Sequence, residues 1–376
     1  MPRMTRQPSP ARALAALVLG ALALLAPAAV AAQVSPPFAA PPDSLDPLRV
    51  QQLYVSDDWA DHPVGDYARD MMERGRADSV YRAVTEGVVD FKMITFRSRV
   101  GDMTIPAYLF QPLEKRGARG HAALVWVHGG VHGNWTTAMW PFVREAVERG
   151  YVVITPEYRG STGFGPEHHD AIDYGGFEVD DVISAYDYMV QNLPHVDPAR
   201  VGIMGWSHGG SIAMLAITRD RHPFQAGAAI VPVTNLIFRL SLKGPQYQRS
   251  FSTQRAIGGL PFEEPAEYIQ RSPYYQVDRL RTPLLVHVAT NDQDVNFEES
   301  AMLIYKLRAL KPDLTETKIY EDPAGWGSTV GHAFSRRVDP ITLERVDSPA
   351  QRDSWNRTWT FLEEHLQPYW DPSASN

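Results

Sequence analysis

Three uninterrupted apolar runs constrain this chain more than anything else in it. Residues 122–127 read AALVWV, 151–155 read YVVIT and 283–289 read PLLVHVA. A strand with one wet face alternates apolar and polar residues. Runs that are apolar at nearly every position therefore belong to strands covered on both faces. Between them lie segments of helical length and period at 138–149 (closed by Gly150), 177–192, 209–218, 298–309 and 351–366. Further strands are expected at 201–205, 226–233 and 316–320, and 92–97 with 104–110 reads as a hairpin turning at Gly101-Asp102. Strands alternating with long helices predict a doubly wound, mostly parallel α/β sheet with helices on both faces.

That α/β domain is expected over residues 90–370. One segment, about 235–278, interrupts the rhythm with aromatics and prolines between two core strands, and insertions of this length at the carboxyl edge of such sheets usually form caps. Upstream, 33–89 divides into a Pro- and Ala-rich arm at 34–48 and a helical stretch around 66–82. Arg3, Arg6 and Arg12 precede an apolar stretch at 13–32 that ends Ala29-Val30-Ala31-Ala32. This is the order of a secretory signal, so 1–32 is expected to be removed before Gln33, leaving an exported protein, periplasmic or secreted, with no membrane attachment. With no cysteine anywhere, disulfides and thiol catalysis are excluded. The net charge of -8 and the lack of a basic run exclude a nucleic-acid partner.

The chemistry centres on Gly205-Trp206-Ser207-His208-Gly209-Gly210, placed where an apolar strand ends and a helix begins. A serine there occupies a tight turn that lifts its hydroxyl above the sheet, the nucleophile elbow of the α/β-hydrolase fold. Serine needs a base and an orienting acid, and in this fold they follow in the order Ser, acid, His. Asp292 lies just beyond the PLLVHVA strand and is the expected acid, with Asp294 as its rival. His332, after the last strand, is the expected base. The oxyanion donors are expected to be the backbone N–H of His208 and the loop that carries Gly129 and Gly130.

His128-Gly129-Gly130, the run from Tyr158-Arg159-Gly160-Ser161 to Gly165, the serine elbow, the 292–295 turn and Gly331-His332 stand in this order. Together they resemble the catalytic domain of the prolyl oligopeptidase family over about residues 90–368. The resemblance implies cleavage of an amide or ester bond in a short peptide or other small substrate, with no metal or organic cofactor. It also implies that Arg159-Gly160-Ser161 supports the site rather than reacting. Family peptidases generally place a β-propeller before this domain, and 33–90 is too short to hold one. Dipeptidyl members carry a tyrosine where this chain has His128, so a carboxylic-ester hydrolase and an inactive binding module remain alternative readings.

Weaker signals complete the expectation. Trp126 and Trp140 read as core, while Trp206, Trp135 and Tyr158 are candidate substrate-binding side chains. His128 and His132 flank glycines without a third nearby ligand, which argues against a metal pair. His168-His169-Asp170 reads as a solvated loop and Glu263-Glu264 as an exposed acidic turn.

Overall fold

The computed structural model describes residues 65–321 and 331–370. The expected signal at 1–32, the arm at 34–48 and residues 322–330 of the segment before His332 lie outside the described residues. Eight strands build one sheet: β1 (Asp90–Arg97), β2 (Thr104–Gln111), β3 (His121–Val127), β4 (Val152–Pro156), β5 (Val196–Trp206), β6 (Ala226–Ile230), β7 (Leu284–Ala289) and β8 (Thr315–Tyr320). Their order is β1-β2-β4-β3-β5-β6-β7-β8. β2 is antiparallel to both β1 and β4, and the remaining pairs are parallel. The doubly wound, mostly parallel α/β architecture expected from the apolar runs is the architecture observed.

Helices follow the same alternation. They are α1 (Tyr67–Thr85), α2 (Trp140–Glu148), α3 (Pro166–His169), α4 (Phe177–Asn192), α5 (His208–Ile217), α6 (Leu236–Leu242), α7 (Pro245–Ser252), α8 (Pro265–Gln270), α9 (Pro273–Gln276), α10 (Phe297–Leu310) and α11 (Pro349–Leu366). Among the described residues no helix is long and apolar enough to cross a membrane.

Side chains leave β3 to alternate faces, which splits the core in two. Ala123, Val125 and Val127 join the layer under α4, α5 and α10, and Ala122, Leu124 and Trp126 join the layer under α2 and α11. Every position of β3 is buried, and all but the hydrogen-bonded His121 are apolar.

Two boundaries differ from the sequence reading for local reasons. β6 ends at Ile230 rather than Val233, because Val231 turns to φ 44° and Pro232 cannot continue a ladder. The 235–278 insertion is helical: Asn235 caps α6 by accepting from Phe238 N at 3.1 Å, and α7, α8 and α9 each begin on a proline. Proline suits the first helical turn, where its missing N–H would have no partner in any case. Those prolines were a start signal rather than a sign of irregular chain. The insertion forms its own apolar cluster from Leu236, Leu240, Tyr247, Phe251 and Tyr268, which also takes in Val131 beyond β3 and Val295 beyond β7.

Candidate active site

The strand order reverses at β3. The chain passes from β3 outward to β4, then returns across β3 to β5. Ligands of open α/β sheets bind in the crevice at the carboxyl ends of the strands flanking such a reversal. His128-Gly129-Gly130 leaves the end of β3 and Ser207 leaves the end of β5, so the topology sets these two motifs side by side.

Ser207 adopts φ 54°, ψ -122° between β5 and α5. A left-handed φ at a non-glycine costs roughly 1–3 kcal/mol, and the surroundings hold it in place. Its N–H donates to Ile230 O at 3.0 Å, and its carbonyl accepts from Ser211 N at 3.0 Å. Gly209 lets α5 start hard against β3, since a Cβ there would lie 2.3 Å from His128 O and 2.4 Å from Val127 O. On the other side, Gly129 packs against Trp206 O and the Ser207 Cβ. Gly129 thus brings the backbone of its loop against the serine, beside that of His208 which follows it in sequence.

His332 Nδ1 is hydrogen-bonded to Asp292 Oδ2 at 2.9 Å. Asp292 is held in turn, its Oδ1 accepting from Asp294 N and Val295 N at 3.0 Å each. A Cβ on Gly331 would lie 2.4 Å from Asp292 N, so glycine lets the histidine segment press onto the acid loop. Asp294 takes a different place, with its Oδ2 3.3 Å from His332 Nε2. Among the described residues no hydrogen bond joins Ser207 Oγ to His332. The structure therefore joins the expected acid to the expected base and leaves the second imidazole nitrogen of His332 facing Asp294.

Several supports had no clear sequence signal. Arg239 on α6 is buried and donates to Asp294 O at 2.8 Å and Tyr247 Oη at 3.0 Å, which ties the insertion to the acid loop. Trp206 Nε1 donates to Ser335 Oγ and Trp355 Nε1 to Ser335 O, so the strand before Ser207 and the segment after His332 share one anchor. Arg159 grips Asp181 through Nε and its backbone N–H, and Ser161 Oγ meets His128 Nε2 at 2.9 Å. The Arg159-Gly160-Ser161 loop is a brace, as expected.

The candidate substrate contacts separate. Trp206 and Trp135 line a cavity of about 350 Å³ together with Trp126, Gly129 and Met139. Tyr158 is fully buried and outside this lining, and its hydroxyl donates to Gly130 O at 2.7 Å. It props the loop from below. The His128 imidazole also points inward, stacked on Tyr158 at 4.2 Å. The solvated loop expected at 168–170 is corrected for its histidines. His168 Nε2 bonds the carbonyls of Glu157 and Tyr158, and His169 stacks on His132 at 3.7 Å, so both rings are buried. Glu263 and Glu264 are exposed, as expected.

Two buried carboxyls flank this machinery with opposite protonation. Burial would raise Glu157, but Arg74 and His128 outweigh it and hold the group down at about 2. Glu178 lies 3.9 Å from His208 Nε2, and burial, reinforced by Asp173 and Asp181, pushes it up to about 8. A carboxyl raised above its unfolded value near 4.5 contributes stability in acid that is lost as pH rises through about 8. Glu178→Gln should therefore match wild type in thermal unfolding below about pH 4.5 and gain on it steadily up to pH 8. A constant offset at every pH would show that Glu178 does not titrate in this window.

A model of the prolyl oligopeptidase family matches residues 136–338, more than half of the chain. The chain is 28% identical over 253 residues to the uncharacterized peptidase YuxL of Bacillus subtilis, covering 67% of this chain and 36% of that protein. It is 31% identical over 215 residues to the human acylamino-acid-releasing enzyme, covering 54% of this chain and 28% of the relative. The chain thus spans about a third of the length of these curated relatives. Among solved structures, the acylaminoacyl peptidase of Pyrococcus horikoshii superposes with a TM-score of 0.61 at 20% identity, over 77% of this chain and 44% of that one. On the strength of the family match over more than half of its length, this chain belongs to the prolyl oligopeptidase family.

Proposed function

We propose that the chain is an exported hydrolase that cleaves an amide or ester bond in a short peptide or other small acyl substrate through an acyl-enzyme on Ser207. The observation that carries this reading is the 2.9 Å hydrogen bond that His332 Nδ1 donates to Asp292 Oδ2, in a chain that holds Ser207 in a strained strand-to-helix turn. Asp292 orients the imidazole and stabilises its charged form. His332 Nε2 takes the Ser207 proton as the hydroxyl attacks the substrate carbonyl. For that transfer Nε2 exchanges Asp294 for Ser207 Oγ, an adjustment common when a substrate closes a site that is loose without it. The backbone N–H groups of His208 and of Gly129 or Gly130 receive the oxyanion. Protonation by His332 releases the amine or alcohol, and a water deprotonated by the same histidine frees the acid.

Export rests on the signal-like order of residues 1–32. The relatives named as acylamino-acid-releasing and dipeptidyl enzymes favour a peptide substrate. A fluorophosphonate probe tests the core of the reading. It should label the mature protein once, at Ser207, as mapped by peptide mass spectrometry. Loss of labelling with the fold intact would leave an inactive binding module. One acyl group carried as a matched ester and anilide then assigns the bond: comparable kcat/KM values mark a peptidase, and ester turnover alone marks a carboxylic-ester hydrolase.

A further inference from the structure

Three tryptophans line the cavity beside Ser207 together with polar groups, and among the described residues it carries one arginine whose guanidinium has no partner. Trp126, Trp135, Trp206, Met139 and Gly129 form its wall, and Arg336, four residues beyond His332, closes one side. The other buried arginines around the domain are paired: Arg74 with Glu157, Arg159 with Asp181, Arg200 with Asp197 and Arg239 with Asp294 O and Tyr247. Among the described residues the half-buried Arg336 guanidinium has no hydrogen bond and no ion pair; only its backbone N–H is engaged, with Ala333 O at 3.1 Å. Asp294 and Asp292 attract it from beyond ion-pair distance. Glu73, also on the cavity, is engaged with Arg69 at 3.0 Å. Arginine stays charged even when burial disfavours it, so this cation faces the tryptophan-lined cavity with no ion-pair partner among the described residues.

We propose that Arg336 is a specificity residue that receives a carboxylate of the substrate, so that the enzyme prefers acyl or leaving groups bearing a negative charge near the scissile bond. The inference rests on the hydrolase reading of Ser207. A planar guanidinium binds a carboxylate through two parallel hydrogen bonds, and partial burial of the Arg336 side chain strengthens them. Gly129 and Trp206 adjoin both Ser207 and this cavity, so a carboxylate held by Arg336 belongs to the same small substrate whose carbonyl reaches the serine.

Two matched pairs of substrates locate the charge. In one pair a succinyl-capped anilide is compared with its methyl ester, which places the carboxylate on the acyl side. In the other a short peptide with a free C-terminal carboxylate is compared with its amide, which places it on the leaving side. In at least one pair wild type should favour the charged member by about 10- to 100-fold in kcat/KM, the range for hydrogen bonds to a charged group. Arg336→Gln should abolish that preference, and Arg336→Lys should keep part of it. Fluorophosphonate labelling of Ser207 in each variant checks that the site is still assembled. Equal charged-to-neutral ratios in wild type and Arg336→Gln, in both pairs, overturn the proposal while leaving the hydrolase standing. Failure of wild type to label or to turn over any of the four substrates rejects the hydrolase reading itself.

Discussion

Ser207→Ala is expected to lower kcat/KM by about 10⁶-fold and Asp292→Asn by about 10⁴-fold, while Asp294→Asn changes it by less than about tenfold. The contrast follows from which nitrogen each acid meets. Asp292 is 5% exposed, bonded to Nδ1 and locked by two backbone N–H groups. An amide in its place would present a donor where the imidazole also needs to donate, favouring the wrong tautomer without disturbing the fold. Asp294 is far more exposed and faces Nε2, the nitrogen that must be released toward Ser207. Steady-state kinetics on one activated ester, with unfolding curves to show intact folds, separates the two roles. A larger loss for Asp294→Asn than for Asp292→Asn would reverse the assignment of the acid.

Glu157→Ala should destabilise the protein by about 3–5 kcal/mol, the cost of leaving a buried charge without its partner. Glu157 has no exposed surface. It pairs with Arg74 of α1, accepts from Trp135 N at 3.1 Å and approaches His128 Nε2 at 3.3 Å. One carboxylate thus joins the first helix to both ends of the loop that carries Gly129 and Gly130. Its group is held at about 2, below the usual value near 4.5, so the stability it contributes is present above about pH 4.5 and is lost as pH falls toward 2. The gap between wild type and variant in chemical unfolding should be widest near neutrality and should narrow in acid. Activity should fall as well, because the loop loses its fixed support. A gap below about 1 kcal/mol at neutral pH would mean that α1 and the loop are held independently of Glu157.

These supports show what the chain's order could not convey. Glu157 and Arg74 are 83 positions apart, and Arg239 is 55 from the Asp294 carbonyl it holds. Neither spacing carries a periodic or motif signal, because the partners meet only when the sheet and its insertion close together. Arg336 was equally silent: an arginine after a histidine reads as surface until the cavity beside it is known. Tyr158 was misleading in the opposite sense. Its motif lies next to the site in sequence, yet the backbone turns the ring under the loop and its hydroxyl bonds Gly130 O.

The layered α/β sheet was legible in the chain, since strands buried on both faces are apolar at nearly every position and helices recur between parallel strands. The sequence also singled out the serine elbow, and offered Asp292 and His332 as candidates for acid and base from their order after the strands. Tertiary structure decided which carboxylate meets His332 Nδ1, that the inserted segment is helical and tied to the 292–295 loop, and that Arg336 faces the cavity with no side-chain partner among the described residues. Those outcomes depend on side chains brought together from distant positions, where packing and desolvation, rather than local propensity, select the partners.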